Sequence, residues 1–233
     1  MLHQQQGKFG EQAFCLGEAL LQFMGELGGG GILVFWGWTW SGQGETRLAH
    51  MKTQQPRFVW CDLEMTGLEP RSCAIIEIGI VITDKDLNPL VEFERAIWQP
   101  EAVLLEMEPF VRQMHTRNGL LERVRASEHS LRSTEKEAMG LLAEHFAVGE
   151  GILAGNSIHM DRSFIAWHMP GVDRYLHYRM VDVSSLKELV RAWYPQQAGR
   201  SKVDTQHTAL SDIQASIGEL AFYRHHFFKG ALE

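Results

Sequence analysis

Apolar positions from residue 57 onward alternate between strand-like and helix-like patterns, and this alternation predicts an α/β fold. Three strands are expected near residues 57–62, 75–83 and 90–98, where apolar and β-branched side chains dominate. The polar turn at 84–89 joins the second strand to the third. These three strands are therefore predicted to form an antiparallel or mixed meander.

Helix-like periodicity prevails after the third strand, interrupted by two short apolar runs. Helices are predicted over 101–125 with breaks at Pro109 and Gly119, from Thr134 to about 146, over 161–168, from Ser184 to Trp193 and over 208–225; short strands are predicted at 152–155 and 178–182. Thr134 and Glu137 fit a capping box, so Thr134 is the predicted N-cap of its helix. Ser184 is the predicted N-cap of the helix that ends at Trp193. Because strands and helices alternate after residue 150, the later strands are expected to be parallel and joined by crossovers.

The first predicted strand carries two acids, Asp62 and Glu64, directly after an apolar run. Residues two apart in a strand point to the same face, so the two carboxylates are expected to lie side by side. Like charges repel, and burial adds a desolvation cost on the order of several kcal/mol per ion. A divalent cation such as Mg²⁺ between the acids would offset that cost. The alternative is a strand that surfaces early and leaves both acids solvated.

The composition is that of an ordinary soluble globular protein, with 45% hydrophobic and 22% charged residues among 233. The net charge of −7 argues against a protein that wraps long nucleic acid, but it permits a small phosphorylated substrate held by metal ions. The 3 cysteines form no C-x-x-C pair, which argues against a disulfide framework or a cysteine zinc site and fits a reducing, cytoplasmic location. No apolar run reaches the roughly 18–20 residues that a membrane span needs.

Residues 1–50 differ in character from the rest of the chain. Consecutive glycines at 28–31 precede an apolar and aromatic stretch, 32–40, that is too short to span a bilayer. Met51 directly precedes the first strong strand, so we predict an N-terminal extension, 1–50, that is poorly ordered or reflects a misplaced start, followed by a functional domain, 51–233. The rival interpretation is an aromatic patch in 1–50 that binds a partner or touches a membrane.

Three further polar positions are unremarkable when each is taken alone. Asp161 falls in the first turn of a predicted helix, where a helix-dipole acid explains it. His207 and Asp212 stand five residues apart at the start of the last predicted helix. They would not share a face if both were helical, but they converge if His207 lies in the preceding loop. The simpler interpretation is a loop histidine and a surface acid.

Taken together, these positions resemble a known set of motifs. An acid pair on a first strand, an acid after a later strand and a His-x4-Asp at a terminal helix resemble the DEDDh 3′–5′ exonucleases, which have a ribonuclease H-like fold. The resemblance is closer to the oligoribonuclease family, over about residues 57–228. It is carried by WCDLEMTGL (60–68), AGNS (154–157) with Asp161, HYR (177–179) with DVS (182–184), KEL (187–189), Trp193, and Leu220 with FYR (222–224). It implies a mixed central sheet flanked by helices and makes 51–233 the exonuclease domain.

The resemblance implies hydrolysis with two divalent cations, Mg²⁺ or Mn²⁺. The residues that match the family's metal-binding acids are Asp62, Glu64, Asp161 and Asp212. Four carboxylates can hold two ions roughly 3.5–4 Å apart, which clamp the attacking and leaving oxygens. His207 matches the general base, and it must be neutral to accept a proton from the attacking water.

The resemblance also implies the substrate, which is short RNA, chiefly dinucleotides, shortened from the 3′ end to 5′-mononucleotides. The residues that match the family's cap on the 5′ phosphate are Ser157, Arg179, Ser184 and Lys187. Leu68 matches the residue that wedges between the two bases. Phe110 stands where the family usually has tryptophan, which keeps base stacking with a smaller ring. A homodimer is implied, in which Tyr178 and Arg179 reach into the partner's site.

One departure from the family pattern falls beside the last acid. The family usually has Asp-Asp where this chain has Ser211-Asp212, so the metal ligand Asp212 is kept and Ser211 alters a contact beside it. Two alternatives to a dinucleotide enzyme stay open. One is a DEDDh exonuclease that acts on longer RNA or DNA, and the other is a catalytically weak nucleotide-binding protein.

Overall fold

The structure is a computed structural model that describes residues 55–196 and 208–228, and a five-stranded sheet organises these residues. Every described residue belongs to one unit, Arg47–Glu233. The elements, in chain order, are β1 (Pro56–Met65), β2 (Ile75–Asp84), β3 (Pro89–Ala96), α1 (Glu101–Leu105), α2 (Pro109–Arg117), α3 (Leu120–Ala126), α4 (Leu131–His145), β4 (Ile152–Gly155), α5 (Ile158–His168), α6 (Pro170–Tyr175), β5 (Met180–Asp182), α7 (Val183–Trp193) and α8 (Ala209–Phe227).

The strand order is β3-β2-β1-β4-β5, which makes the sheet half antiparallel and half parallel. β1 pairs with β2, and β2 with β3, in antiparallel fashion, which confirms the predicted meander. β1 pairs with β4, and β4 with β5, in parallel, as the alternation of later strands and helices predicted. The predicted helix breaks at Pro109 and Gly119 are also confirmed, because Pro109 begins α2 and Gly119 directly precedes α3.

The two faces of the sheet are covered by different helices because successive strand residues point to opposite sides. Val59, Cys61 and Leu63 of β1 belong to a core that includes residues of α4, α5 and α6. Trp60 lies on the opposite face, in a second core that includes Val190 of α7 and residues of α8. Asp62 and Glu64 follow Trp60 at intervals of two, so they share the face that packs against α7 and α8.

The first strand extends further than the sequence indicated. We expected β1 to end near residue 62, but it continues to Met65 because β2 pairs with it as far as Met65 and Ile75. On its other side, β4 pairs only with Phe58, Val59 and Trp60. Asp62 and Glu64 are therefore inside a strand that is paired on one side and open on the other.

Two helix N-caps were predicted wrongly. The helix that contains Thr134 begins one turn earlier, with Ser130 as N-cap: its side chain accepts from the Ser133 amide, and the Ser133 hydroxyl accepts from the Ser130 amide. Both Ser130 and Thr134 carry suitable hydroxyls, and in the folded chain Ser130 makes the capping hydrogen bonds. α7 is likewise capped by Asp182, whose carboxylate accepts from the Ser184 amide, and not by Ser184 itself.

Some of the sequence predictions fall outside the part of the chain that the structure describes. The proposed extension, 1–50, is one, and its separation from 51–233 stays a prediction. Among the described residues, no helix combines the length and apolar character that a membrane span requires. The cytoplasmic location stays a prediction from cysteine usage.

The N-cap assignment of α4 predicts opposite outcomes for two substitutions. Ser130→Ala should lower the free energy of unfolding by about 1 kcal/mol, because the Ser133 amide loses its acceptor. Thr134→Val should have little effect or stabilise the protein, because the buried Thr134 hydroxyl has no hydrogen-bond partner among the described residues. Chemical denaturation of both variants measures this, and a larger loss for Thr134→Val would contradict the assignment.

Candidate metal centre and nucleotide site

Three carboxylates converge on the open end of β1. Ligand oxygens of Asp62, Glu64 and Asp212 lie within 4.8 Å of one another. Asp62 and Glu64 come from β1, as the two-residue spacing predicted, and Asp212 comes from the first turn of α8. Oxygen ligands in this arrangement suit hard divalent cations such as Mg²⁺ and Mn²⁺.

Asp161 joins this cluster through the backbone of β1. Because β4 stops pairing with β1 at Trp60, the Leu63 amide on that side has no strand partner. The Asp161 carboxylate, in the first turn of α5, accepts a hydrogen bond from this amide at 2.9 Å. A side chain at Gly155 would contact the Cys61 carbonyl at 2.9 Å, so glycine lets the chain pass close to β1 before α5 begins.

Ser211 has a defined role at the start of α8. Thr208 is the N-cap, its hydroxyl accepts from the Ser211 amide, and the Ser211 hydroxyl accepts from the Thr208 amide at 3.2 Å. The residue that departs from the family pattern therefore completes a capping box one position before Asp212. His207, the predicted general base, lies outside the described residues and directly precedes this N-cap in sequence.

Burial and mutual repulsion dominate the electrostatics of the acids. Burial, followed by the charges of Asp161 and Glu64, raises the pKa of Asp62 to about 9. Burial, followed by the charge of Asp212, raises the pKa of Glu64 to about 8. Burial also raises the pKa of Asp161 to about 7, against the hydrogen bond from the Leu63 amide. Acids in this state require added positive charge to be ionised together at neutral pH.

A buried histidine lies behind Glu64. His115 of α2 has its Nε2 atom 3.1 Å from the Met65 carbonyl and its Nδ1 atom 3.9 Å from Glu64 Oε2. Burial lowers the pKa of this imidazole, so the neutral form is favoured. A neutral ring that donates from Nε2 fixes the end of β1 relative to α2.

Three of the four residues predicted to bind the 5′ phosphate share one polar network. Ser157 precedes α5, and its amide donates to Asp182 and to the Ser184 hydroxyl, each at 3.0 Å. The hydroxyls of Ser157 and Ser184 are 3.2 Å apart. Lys187 of α7 forms an ion pair with the buried Glu219 at 3.0 Å. These residues follow the carboxyl ends of β4 and β5, and they therefore lie at the same end of the parallel strands as the acids.

The fourth residue predicted to bind the 5′ phosphate, Arg179, lies toward the opposite end of the parallel strands. It directly precedes β5, and Met180 is level with Val59 through the pairing of β5, β4 and β1. Arg179 is therefore level with a position four residues before Asp62, which is about 13 Å away along the strand direction. It lines a cleft of about 900 Å³ together with Pro56 and Arg57, which begin β1.

The residues predicted to contact bases are exposed. Leu68 is 74% exposed just beyond the end of β1, and Phe110 is 75% exposed at the start of α2. Tyr178 is 70% exposed at the amino end of β5, stacked on His177 with Arg179 over its ring. Exposed aromatic rings such as those of Phe110 and Tyr178 suit stacking against nucleobases.

Sequence reasoning missed several residues that support this site. They are His115 behind Glu64, Glu219 beside Lys187, and the buried Glu77 with its partner Arg123. No local spacing marks any of them, because each reaches its partner through tertiary packing. The one available signal was an acid, Glu77, inside the otherwise apolar run 75–82 of β2.

Fold and site together define an exonuclease. The family model for RNase_T exonucleases matches residues 59–220, more than half of the chain. That range contains all four carboxylates described above. The class predicted from the motifs is therefore confirmed.

Within that class, the chain belongs to the oligoribonuclease family. The oligoribonuclease of Shewanella loihica is 45% identical over 180 residues, covering 77% of this chain and 99% of that protein. The oligoribonuclease of Idiomarina loihiensis is 44% identical over 176 residues, covering 75% and 96%. That of Haemophilus ducreyi is 42% identical over 179 residues, covering 76% and 98%.

Solved structures confirm the predicted ribonuclease H-like exonuclease fold. Exonuclease I from Methylocaldum szegediense superposes with a TM-score of 0.55 at 18% identity, over 73% of this chain. E. coli exonuclease I in complex with a dT13 oligonucleotide superposes with a TM-score of 0.57 at 14% identity, over 73% of this chain. The chain spans 40% and 41% of those two chains, and at these identities the likeness shows the fold alone.

The raised pKa values predict that the metal-free protein loses stability as pH rises. In the unfolded chain the carboxyls lose their protons near pH 4. In the folded chain they keep protons up to pKa values of about 7, 8 and 9. The folded state therefore binds more protons in this window, and the free energy of unfolding falls with rising pH.

Thermal denaturation in chelator, from about pH 5 to pH 9, measures this dependence. Mn²⁺ should restore the melting temperature, most strongly at high pH, because the ions replace the protons. Asp62→Asn should flatten the profile measured in chelator. A melting temperature of the unsubstituted protein that rises with pH in chelator would contradict the assignment of the raised pKa values.

Proposed function

We propose that this protein is a metal-dependent 3′–5′ exoribonuclease that hydrolyses short RNA, chiefly dinucleotides, to 5′-mononucleotides. The observation that carries the proposal is the convergence of Asp62, Glu64 and Asp212 within 4.8 Å, in a chain of the oligoribonuclease family. Asp161 adds a fourth carboxylate from α5, held against β1.

The four acids suit two divalent cations, Mg²⁺ or Mn²⁺. Their oxygens are hard ligands, and crowding in a buried position raises the pKa values of Asp62 and Glu64 to about 9 and about 8. Asp62, Glu64, Asp161 and Asp212 would hold the ions. The bound ions would stabilise negative charge on the phosphoryl group and activate water.

His207 is the proposed general base. A neutral imidazole accepts the proton of the attacking water. Its place one residue before the N-cap of α8 ties it in sequence to the helix that carries Asp212.

The 5′ phosphate would bind at the polar network beside the acids. The hydroxyls of Ser157 and Ser184 offer donors, and Lys187 offers positive charge that it now shares with Glu219. Leu68 and Phe110 would contact the bases. A substrate held by its phosphate at one end and by the acids at the other must have the right length, which favours dinucleotides.

Tyr178 and Arg179 are proposed to complete the site of a second copy in a homodimer. They lie at the amino end of β5, which is the end of the parallel strands away from the acids of their own chain. An exposed tyrosine with an arginine stacked on it offers both a base platform and a phosphate ligand.

The length preference predicts that a 5′-phosphorylated diribonucleotide is hydrolysed much faster than a longer single-stranded RNA. Turnover should require Mg²⁺ or Mn²⁺ and stop in chelator. His207→Ala is the control against contaminating nuclease, and it should lose about 10²–10⁴-fold in rate while it keeps its metal affinity. Equal rates on both substrates would favour an exonuclease for longer RNA, and binding without turnover would favour a nucleotide-binding protein.

Completion of the site in trans predicts complementation between two weak variants. Asp62→Asn removes a metal ligand, and Arg179→Ala removes the contribution to the partner. After subunit exchange, half of the dimers are mixed and hold one complete site of two, so about a quarter of the original activity should return. Absence of recovery in a mixture shown by sedimentation to contain dimers would contradict a role for Arg179 in trans.

A further inference from the structure

Three charged side chains outside the metal centre hold the first turn of α8, the helix that carries Asp212. They are Glu77 of β2, Glu94 of β3 and Arg123 of α3, and we refer to them as the α8 clamp. Arg123 forms an ion pair with Glu77 and lies 3.8 Å from Glu94. The exonuclease chemistry proposed above assigns no role to any of them.

The clamp satisfies backbone groups that a helix start leaves open. The first N–H groups of a helix have no partner within the helix. Glu77 Oε2 accepts from the Ala209 amide at 3.3 Å, and the Glu94 carboxylate accepts from the Leu210 amide. The next amide, of Ser211, donates to the Thr208 hydroxyl. The amides of residues 209, 210 and 211 therefore each have an acceptor, and two of the acceptors are carboxylates of the sheet.

The clamp acts at the positions directly opposite the metal acids. In the antiparallel pairing of β1 and β2, Glu77 faces Glu64 and Gly79 faces Asp62. Glu77 holds the Ala209 amide, and a side chain on Gly79 would approach the Ala209 Cβ to 2.8 Å. The residues across from the two acids thus set how closely the start of α8 approaches them.

Arg123 makes this arrangement electrostatically possible. Glu77 is 0% exposed, and burial of an unpaired carboxylate next to Glu64 would be strongly unfavourable. Arg123 supplies the compensating charge from a side chain that is 40% exposed. Without it, Glu77 would repel both Glu94 and Glu64 with no positive charge between them.

We propose that Glu77 and Arg123 are positioning residues for Asp212. Neither belongs to the group of carboxylates that converges at the metal centre, and they act by fixing where α8 begins, which brings Asp212 to Asp62 and Glu64. The inference rests on the proposed metal centre and adds to it a support that comes from β2, β3 and α3.

The test uses the full chain and four variants. Arg123→Met removes the bridging charge at a partly exposed position, and Glu77→Leu removes the acceptor of the Ala209 amide. Glu77→Gln keeps an acceptor oxygen without the charge. Arg95→Met is the matched control, because it breaks a 2.8 Å ion pair between β3 and Glu137 of α4, in which each side chain is 36% exposed.

Two readouts separate positioning from simple stabilisation. Amide hydrogen exchange should accelerate at Ala209 and Leu210 in Arg123→Met and Glu77→Leu, at a temperature where the variants are folded. Mn²⁺ affinity, measured by calorimetry, should fall by about 10–100-fold in the same variants. Glu77→Gln should lie closer to the unsubstituted protein, activity should recover at high Mn²⁺, and Arg95→Met should change neither readout.

Unchanged exchange in Arg123→Met would show that the clamp does not hold α8. Faster exchange with unchanged Mn²⁺ affinity would show that the clamp only caps the helix, and it would overturn the positioning role. An unsubstituted protein that binds no Mn²⁺ would instead refute the metal centre itself. Failure of the proposed function and failure of this inference are therefore distinguishable.

Discussion

The partial burial and mutual repulsion of four carboxylates at the end of β1 are the constraint on which this structure depends. Asp62, Glu64 and Asp212 bring ligand oxygens within 4.8 Å, and Asp161 adds a fourth charge. An ordinary core would exclude such a group, because each ion loses solvation and repels its neighbours. A cation-binding site would explain the cluster. The surrounding chain has to hold the acids in place against their mutual repulsion.

Backbone amides provide part of that hold. The Leu63 amide fixes Asp161 because β4 ends early, and the first amides of α8 are fixed by Glu77 and Glu94. The N-termini of helices and unpaired strand edges offer N–H groups that stabilise a carboxylate. The same groups that end strands and begin helices therefore also orient the site.

The direction of the parallel strands explains why the site is divided. Ser157 and Ser184 follow the carboxyl ends of β4 and β5 and lie beside the acids. Tyr178 and Arg179 precede β5 and lie toward the other end of the parallel strands. One strand thus connects the proposed phosphate contact of its own chain to the contact proposed for a second copy. In the proposed homodimer, dimer formation would therefore contribute to the selection of substrate length.

Features that depend on spacing along the chain could be predicted from the amino-acid sequence. The interval between Asp62 and Glu64, the breaks at Pro109 and Gly119, the mixed sheet and the family all follow from local patterns. The N-cap of α4 could not be predicted, because Ser130 and Thr134 offer equivalent hydroxyls. The contact between Glu77 and Ala209, which are 132 residues apart, is visible in the folded chain alone. Such contacts depend on strand register and helix packing, and these leave no periodicity in the sequence.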